Sequence, residues 1–336
     1  ALLKASFDFL DDFRTTEKSQ ALFGQYNLAW DWNVPMELAA GLRYERTNVK
    51  SPSVESIPTG VQWEGDNELQ IIFSGTRSAS RSGKYGYALP SIDWSADLTD
   101  QKKLRASFGK TIGRPGWNAI QGGQTLNGLA RIDGGQGSVG NPDLKPLQSK
   151  NWDFSAEHYY AKGSYVAASY FTKSLKDYNA AVIEARTPYD LHTPIGGAYY
   201  QQAIQAGGCA PSDSGCIRQY IFTNLATAPG VDAANGIITG QPTDPLLVFQ
   251  MGTFQNNKRT SKIKGFELNA QHFFGASGFG ASANFTKVRS NLSYNNNMAG
   301  AQTDVLVGLG DSGNLVGFYE NADFNVRLAY NWRGKF

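Results

Sequence analysis

Few residues in this chain have the types and spacing that covalent chemistry needs. Cys209 and Cys216 are the only cysteines, separated by Ala-Pro-Ser-Asp-Ser-Gly. An even pair so close together in one loop is expected to close a disulfide ring in an oxidising compartment, with a stabilisation of roughly 2–3 kcal/mol on the chain-entropy account. The competing reading is a metal site. Two thiols with neither a Cys-x-x-Cys spacing nor a neighbouring histidine make a poor ligand set, and no metal is expected. Gly-Asp-Ser-Gly at Gly310–Gly313 has the composition of a serine nucleophile segment. A nucleophile of that kind needs a histidine oriented by a carboxylate, whereas His158 and His272 fall near strand ends, so a turn is expected there. Gly-Gln-Gly-Ser-Val-Gly at Gly135–Gly140 has the spacing of a phosphate-cradling loop, but Asn141-Pro142 stands where the helix would begin. Neither an enzymatic activity nor a cofactor is expected.

What remains is suited to binding. Trp117, Tyr189, Tyr199, Tyr200, Tyr220 and Phe222 stand among Asn118, Gln121, Gln201, Gln202, Gln219 and Asn224, with His192 close to Tyr189. Flat rings beside amides suit sugars, whose C–H faces stack while their hydroxyls exchange hydrogen bonds. They suit siderophore catechols almost as well. These segments hold no dense Arg/Lys cluster, which disfavours strongly anionic ligands. The plainer alternative is that the rings only pack the loops against one another and that His192 is merely solvated.

The elements that would position these residues follow a two-residue period. Leu22, Gly24, Tyr26, Leu28, Trp30 and Trp32 alternate with Phe23, Gln25, Asn27, Ala29 and Asp31. After Asn33-Val34-Pro35, the return segment sets Met36, Leu38, Ala40, Leu42 and Tyr44 against charged residues. The same pattern recurs in Tyr85–Leu98, with a phase change and a bulge expected at Pro90. It recurs again around the short turns Thr99–Gln101, Ala161–Gly163, Gly275–Gly278 and Asn321–Asp323, giving about ten strands. Between the hairpins lie Val49–Lys84, Arg114–Pro146, Asp177–Lys262 and Leu292–Gly313, read as long loops. Trp30, Trp32, Trp94, Tyr159, Tyr160, Phe273, Phe274 and Tyr319 cluster near the short turns and read as one interfacial girdle.

Short turns on one side and long loops on the other are the mark of an all-β, transmembrane antiparallel β-barrel, with extracellular loops and periplasmic turns. Composition agrees. The chain has 336 residues, 37 of them glycine, with 12% aromatic and 18% charged residues. A mean hydropathy of −0.38 is too polar for a bundle of apolar helices. A formal net charge of +2 argues against a nucleic-acid partner. In such a barrel Arg43, Glu45, Arg105, Glu157, Glu267, Asn269, Gln271, Asn284, Arg327 and Arg333 are expected to face the lumen. There they would line a hydrated wall, bind a plug or contact passing solute.

Four stretches carry a resemblance to a known family. They are YALPSIDWSADLTDQKKLRASFGKTIGRPGW (Tyr87–Trp117), GNPDLKPLQSKNWDFSAEHYYAKGSYVAASYFTKSLKDY (Gly140–Tyr178), KIKGFELNAQHFF (Lys262–Phe274) and LVGFYENADFNVRLAYNWRGKF (Leu315–Phe336). In order and spacing they resemble the C-terminal barrel of TonB-dependent outer-membrane receptors, from about Gln20 onward. That resemblance implies a 22-stranded barrel, a plug, and opening by the TonB complex at the expense of the proton-motive force. It also implies a location in the outer membrane of a Gram-negative bacterium, among phospholipid and lipopolysaccharide. The expected partners are the TonB complex through an N-terminal portion, a small-molecule nutrient and a surface lipoprotein. With about ten strands and neither plug nor TonB box, residues 1–336 are expected to be a partial barrel domain. Earlier strands would be missing, and two more would follow Phe336. Phe336 itself is in phase with Phe324, Val326, Leu328, Tyr330 and Trp332. The function implied is energised uptake of a scarce, bulky carbohydrate or ferric siderophore, and the alternative is a passive porin-like channel.

Overall fold

A computed structural model describes residues 12–291 and 310–334. The long strands are β1 (Thr16–Asp31), β2 (Pro35–Gly65), β3 (Glu68–Thr99), β4 (Lys102–Gly113), β5 (Leu147–Ala161), β6 (Ser164–Lys176), β7 (Ser261–Phe273), β8 (Phe279–Ser290), β9 (Ser312–Glu320) and β10 (Asn325–Arg333). Each pairs antiparallel with its neighbour in chain order. Among the described residues β1 and β10 do not pair with each other, so the sheet is an open stretch of wall. The connections at 32–34, 100–101, 162–163, 274–278 and 321–324 all fall on one edge. Asn33 at φ 61°, Gly163 at φ 71°, Gly275 at φ 62° and Gly278 at φ 79° carry the backbone of these turns through the left-handed region. At Gly163 a side chain would also meet the Phe273 ring, 3.0 Å from an added Cβ.

The register carries one face across the whole wall. Leu28 lies beside Leu38, Leu38 beside Trp94, Trp94 beside Ala106 and Ala106 beside Phe154. Phe154 then lies beside Tyr170, and Tyr170 beside Phe266. This apolar face is exposed, with Leu42 at 55% and Leu328 at 80% of full accessibility. Such a band is tolerable only against lipid. No helix among the described residues is long and apolar enough to cross a membrane.

Several expectations need correction. Val49–Lys84 is not a loop: β2 and β3 run through it as one hairpin closed at Asp66-Asn67. Pro90 makes no bulge, and its pairing with Leu42 is in continuous register. The pairing of β3 with β4 begins only at Ser91, so the missing N–H of Pro90 falls where β3 has β2 alone beside it. The register shifts of this hairpin lie instead around Pro58 and between Trp63 and Gly65. Because the phase does not change at Pro90, Tyr85 and Tyr87 point to the polar side, opposite Thr47 and Glu45. Two girdle residues are also on that side. The Tyr159 hydroxyl donates to Glu157 at 2.8 Å, and the Phe273 ring packs edge-on against Phe318, itself opposite Arg327. The end of the chain at Phe336 and most of Leu292–Gly313 lie outside the described residues.

The remaining long segments fold into one body above the wall. A four-stranded sheet is formed by Gln124–Leu126, Gly135–Val139, Asn179–Arg186 and Phe249–Asn256. Helices α1 (Trp117–Ile120), α2 (Ala198–Gln205) and α3 (Ser214–Asn224) accompany it. Trp63, Leu69 and Ile71 from the β2–β3 tip share a core with Ile217, Ile221, Ile238, Phe249 and Met251. The loops are therefore a packed outer lobe, built because each segment is too short to bury its apolar residues alone.

Candidate functional site

The candidate site is the polar side of the wall together with the lobe that covers its upper part. The register puts Arg43, Glu45, Arg105, Glu157, Glu267, Asn269, Arg327 and Arg333 on the face opposite the apolar band. Near the short turns these residues pair locally, with Arg105 Nε 2.9 Å from Glu157 Oε1. A cavity of about 620 Å³ lies against this part of the wall, among Glu37, Asp93, Arg105 and Asp153. Farther along, Asn314 Nδ2 donates to Asn284 Oδ1 at 2.9 Å.

Above the band the same face is covered. Along β2 the odd residues Glu45, Thr47, Val49, Ser51, Ser53 and Glu55 are all buried. The segment after β4 lies on them. Arg114 bonds Glu45 and also Ser19, whose hydroxyl is 2.8 Å away. Arg43 Nη2 holds the other Glu45 oxygen at 2.9 Å. Ala119 and Ile120 of α1 pack on Val49 and Tyr85. The Gly122 amide donates to Ser51 Oγ at 2.7 Å.

Glu55 is the electrostatic centre of this contact, with no side-chain exposure. Arg81 Nη1 lies 2.8 Å from one oxygen and Arg77 Nη2 3.0 Å from the other. The Gln124 amide donates at 3.0 Å and Ser53 Oγ at 3.1 Å. Burial pushes the carboxyl up, but the hydrogen bonds from Arg81 and Arg77 outweigh it and hold Glu55 below the usual carboxylate range. Tyr189 closes the cluster, with the Arg77 guanidinium 4.5 Å above its ring and Arg77 Nη2 3.1 Å from its hydroxyl. Burial and then the Glu55 charge push the Tyr189 phenol up.

The aromatic candidates separate into two groups. Tyr199, Tyr200, Tyr220 and Phe222 pack against the lobe core. The Tyr199 hydroxyl donates to the Pro229 carbonyl at 3.2 Å and that of Tyr200 to the Pro211 carbonyl at 2.5 Å. His192 Nδ1 meets the Asp244 carbonyl at 2.6 Å. Trp117, at 61% exposure, and Asn118 are open to solvent at the start of α1. Cys209 and Cys216 form a disulfide with Cα atoms 5.7 Å apart, and Cys216 sits in the first turn of α3, which Asp213 caps at 2.9 Å.

One residue that sequence reasoning missed ties α3 to the wall. Arg218 is buried and donates to the carbonyls of Trp63 at 2.6 Å, Glu64 at 2.9 Å and Gly236 at 2.7 Å. Its burial pushes its pKa down. No sequence signal marks it, because its partners are backbone atoms distant along the chain. Arg77 and Arg81 were missed for the same reason as their strand. The two motif look-alikes are structural. Ser312 opens β9 behind Asp311, which accepts from Arg289 Nη1 at 2.8 Å, and Gly135–Val139 is a strand. Among the described residues no group of His, Cys, Asp or Glu is placed to hold a metal ion.

The family model for the β-barrel of TonB-dependent receptor-like proteins matches residues 4–336. The chain belongs to that family, whose barrels lie in the outer membranes of Gram-negative bacteria. No curated protein matches. Among solved structures it is similar to the ferric-catecholate import receptor Fiu from E. coli K12, at 11% identity and a TM-score of 0.51, covering 96% of this chain and 35% of that one. The ferric enterobactin receptor PfeA from Pseudomonas aeruginosa matches at 15% identity and 0.46, covering 95% and 41%. The siderophore receptor PirA from Acinetobacter baumannii matches at 13% identity and 0.45, covering 94% and 42%. The chain thus spans about two fifths of the length of PirA and PfeA, and less of Fiu. At these identities the likeness is one of fold.

Proposed function

We propose that this chain is part of an outer-membrane transporter, energised through TonB, for a scarce and bulky nutrient. The nutrient is a carbohydrate or a ferric siderophore, captured at the outer lobe and passed along the polar face of the wall. The observation that carries this reading is the covering of that face by a folded lobe anchored through Arg114 and Glu55. A passive pore gains nothing from such a cover, whereas a receptor needs a shaped entrance. Trp117 and Asn118, exposed at the start of α1, whose Ala119 and Ile120 pack on Val49 and Tyr85, are the foremost ligand contacts. The Tyr199, Tyr200, Tyr220 and Phe222 rings support the entrance from within. The plug and the TonB contact belong to an N-terminal portion of a longer polypeptide, and a surface lipoprotein is a further partner.

The test is uptake by cells expressing the full-length receptor, with and without TonB, under iron limitation or with an oligosaccharide as sole carbon source. Binding should persist and uptake should fail without TonB. Unchanged uptake in its absence would overturn energy coupling and promote the passive channel. The growth condition that requires the receptor decides between the two substrate classes.

A further inference from the structure

The outward face carries a patch that nutrient uptake does not use. Lys18, Arg46, Lys50 and Lys84 are all exposed and stand on outward positions of β1, β2 and β3. The register places Asn48 directly between Lys18 and Lys84, while Arg46 and Lys50 flank Asn48 on β2 itself. Lys18 and Lys84 are thus each diagonal to both Arg46 and Lys50, roughly 7–8 Å away, and no two of the four stand directly opposite. The adjoining outward positions are Thr16, Gln20, Ser82 and Gly86, none of them acidic. Among the described residues none of the four cations takes part in an ion pair.

Acidic side chains at the same level face the other way, as Glu17, Glu45 and Glu55 do, and are held by Arg114, Arg43, Arg77 and Arg81. Directly below the patch on the outward face come Leu22, Leu42 and Tyr44. The Tyr44 hydroxyl reaches toward the patch, 3.1 Å from where a Cβ on Gly86 would lie. The order repeats along the wall: Trp152 is followed outward by Lys150, Phe266 by Lys264 and Phe285 by Lys287. Four cations around one residue, with no acidic neighbour on their own face, make a site that an anion complements. Just above an apolar, aromatic-topped band, the anions in steady supply are lipid phosphates.

We propose that Lys18, Arg46, Lys50 and Lys84 bind the phosphate groups of a lipopolysaccharide molecule whose acyl chains lie along Leu22, Leu42 and Tyr44. This inference rests on the outer-membrane placement above and not on TonB coupling or on the nutrient. Arg46 supplies a forked donor for two phosphate oxygens, and the three lysines supply point charges around it.

The test uses the full-length receptor purified from outer membranes in detergent. Co-purifying lipopolysaccharide is measured by mass spectrometry. Rebinding is measured to phosphatidylcholine vesicles carrying either lipopolysaccharide or phosphatidylglycerol, with inorganic phosphate as competitor. The K18Q/R46Q/K50Q/K84Q variant should hold about tenfold less lipopolysaccharide and lose most of the salt dependence of binding. The charge-keeping K18R/R46K/K50R/K84R variant and K102Q, at the short-turn edge, should hold the normal amount. If the neutralised variant does not reach the membrane, R46Q and K84Q singly should each show a smaller loss of the same kind. Full retention by the neutralised or single variants, equal binding of phosphatidylglycerol vesicles, or displacement by millimolar phosphate would each overturn the proposal. A receptor absent from the outer membrane would instead refute the placement on which it rests. Uptake independent of TonB with lipopolysaccharide binding intact would refute only the energy coupling.

Discussion

Arg81 and Glu55 meet across the β2–β3 hairpin with 2.8 Å between Nη1 and Oε1, and the Glu55 carboxylate is sealed from solvent. Glu55→Gln leaves Arg81 and Arg77, whose side chains are 32% and 44% exposed, without their charged partner, so water takes up part of the loss and the cost is about 1–3 kcal/mol. Glu55→Gln should therefore loosen the lobe, read as faster hydrogen exchange at Gln124 and in residues 114–146. Unchanged exchange would mean that the cluster contributes nothing to lobe stability.

The same group gives the lobe a pH dependence. The folded-state pKa of Glu55 is depressed below its ordinary value of 4.5, so its contribution is complete above that value and is lost as the pH falls toward the lower folded value. Proteolysis of the lobe should accelerate below about pH 4.5 in the wild type, with a weaker response in Glu55→Gln. An identical acid response in both proteins would assign the effect to other carboxylates.

The Cys209–Cys216 bond closes a ring over a sequence separation of 7, which corresponds to roughly 2–3 kcal/mol on the chain-entropy account. Mass spectrometry of unreduced protein should find neither thiol alkylated. Reduction, or Cys209→Ser, should lower the thermal midpoint of the lobe without disturbing the wall. Two thiols that alkylate without reductant would refute the bond.

Leu28 and Leu328 are on the apolar face, and Leu28→Arg should destabilise the protein by roughly 2–4 kcal/mol if it lies near the bilayer midplane. Urea titration of the full receptor in liposomes measures it. A neutral result would place Leu28 away from lipid.

Trp117→Ala and Tyr220→Ala should separate contact from support. The first should weaken ligand binding at unchanged lobe stability. The second should destabilise the lobe by about 2–4 kcal/mol, because a ring packed against a core is lost. Equal effects of the two on stability would remove Trp117 from the list of ligand contacts.

The wall was legible because lipid imposes one rule on every strand, and Leu22–Trp32 or Leu104–Phe108 display it without reference to any neighbour. The lobe was not. Ser51, Ser53 and Glu55 on the covered face are polar like Lys50, while Pro52 and Val54 on the other face are apolar, so the upper half of β2 shows no period that marks its buried side. Tyr85 and Tyr87 display a clear period, but it marks a face covered by protein, and alternation alone does not say what covers a face. Trp117 and Tyr220 look alike in sequence, and only the segments packed around the second tell them apart.

The bond from Arg218 to the Trp63 carbonyl spans 155 positions of the chain. Contacts of such long range form only after the chain between them has been threaded through several crossings, because the loop entropy must first be overcome. The anchoring of α3 on the β2–β3 tip therefore requires that the chain has already passed through β3, β4, β5 and β6, the wall strands that lie between the two residues. A biogenesis intermediate stalled at any of them would display a long, unpacked outer tip to the proteases around it.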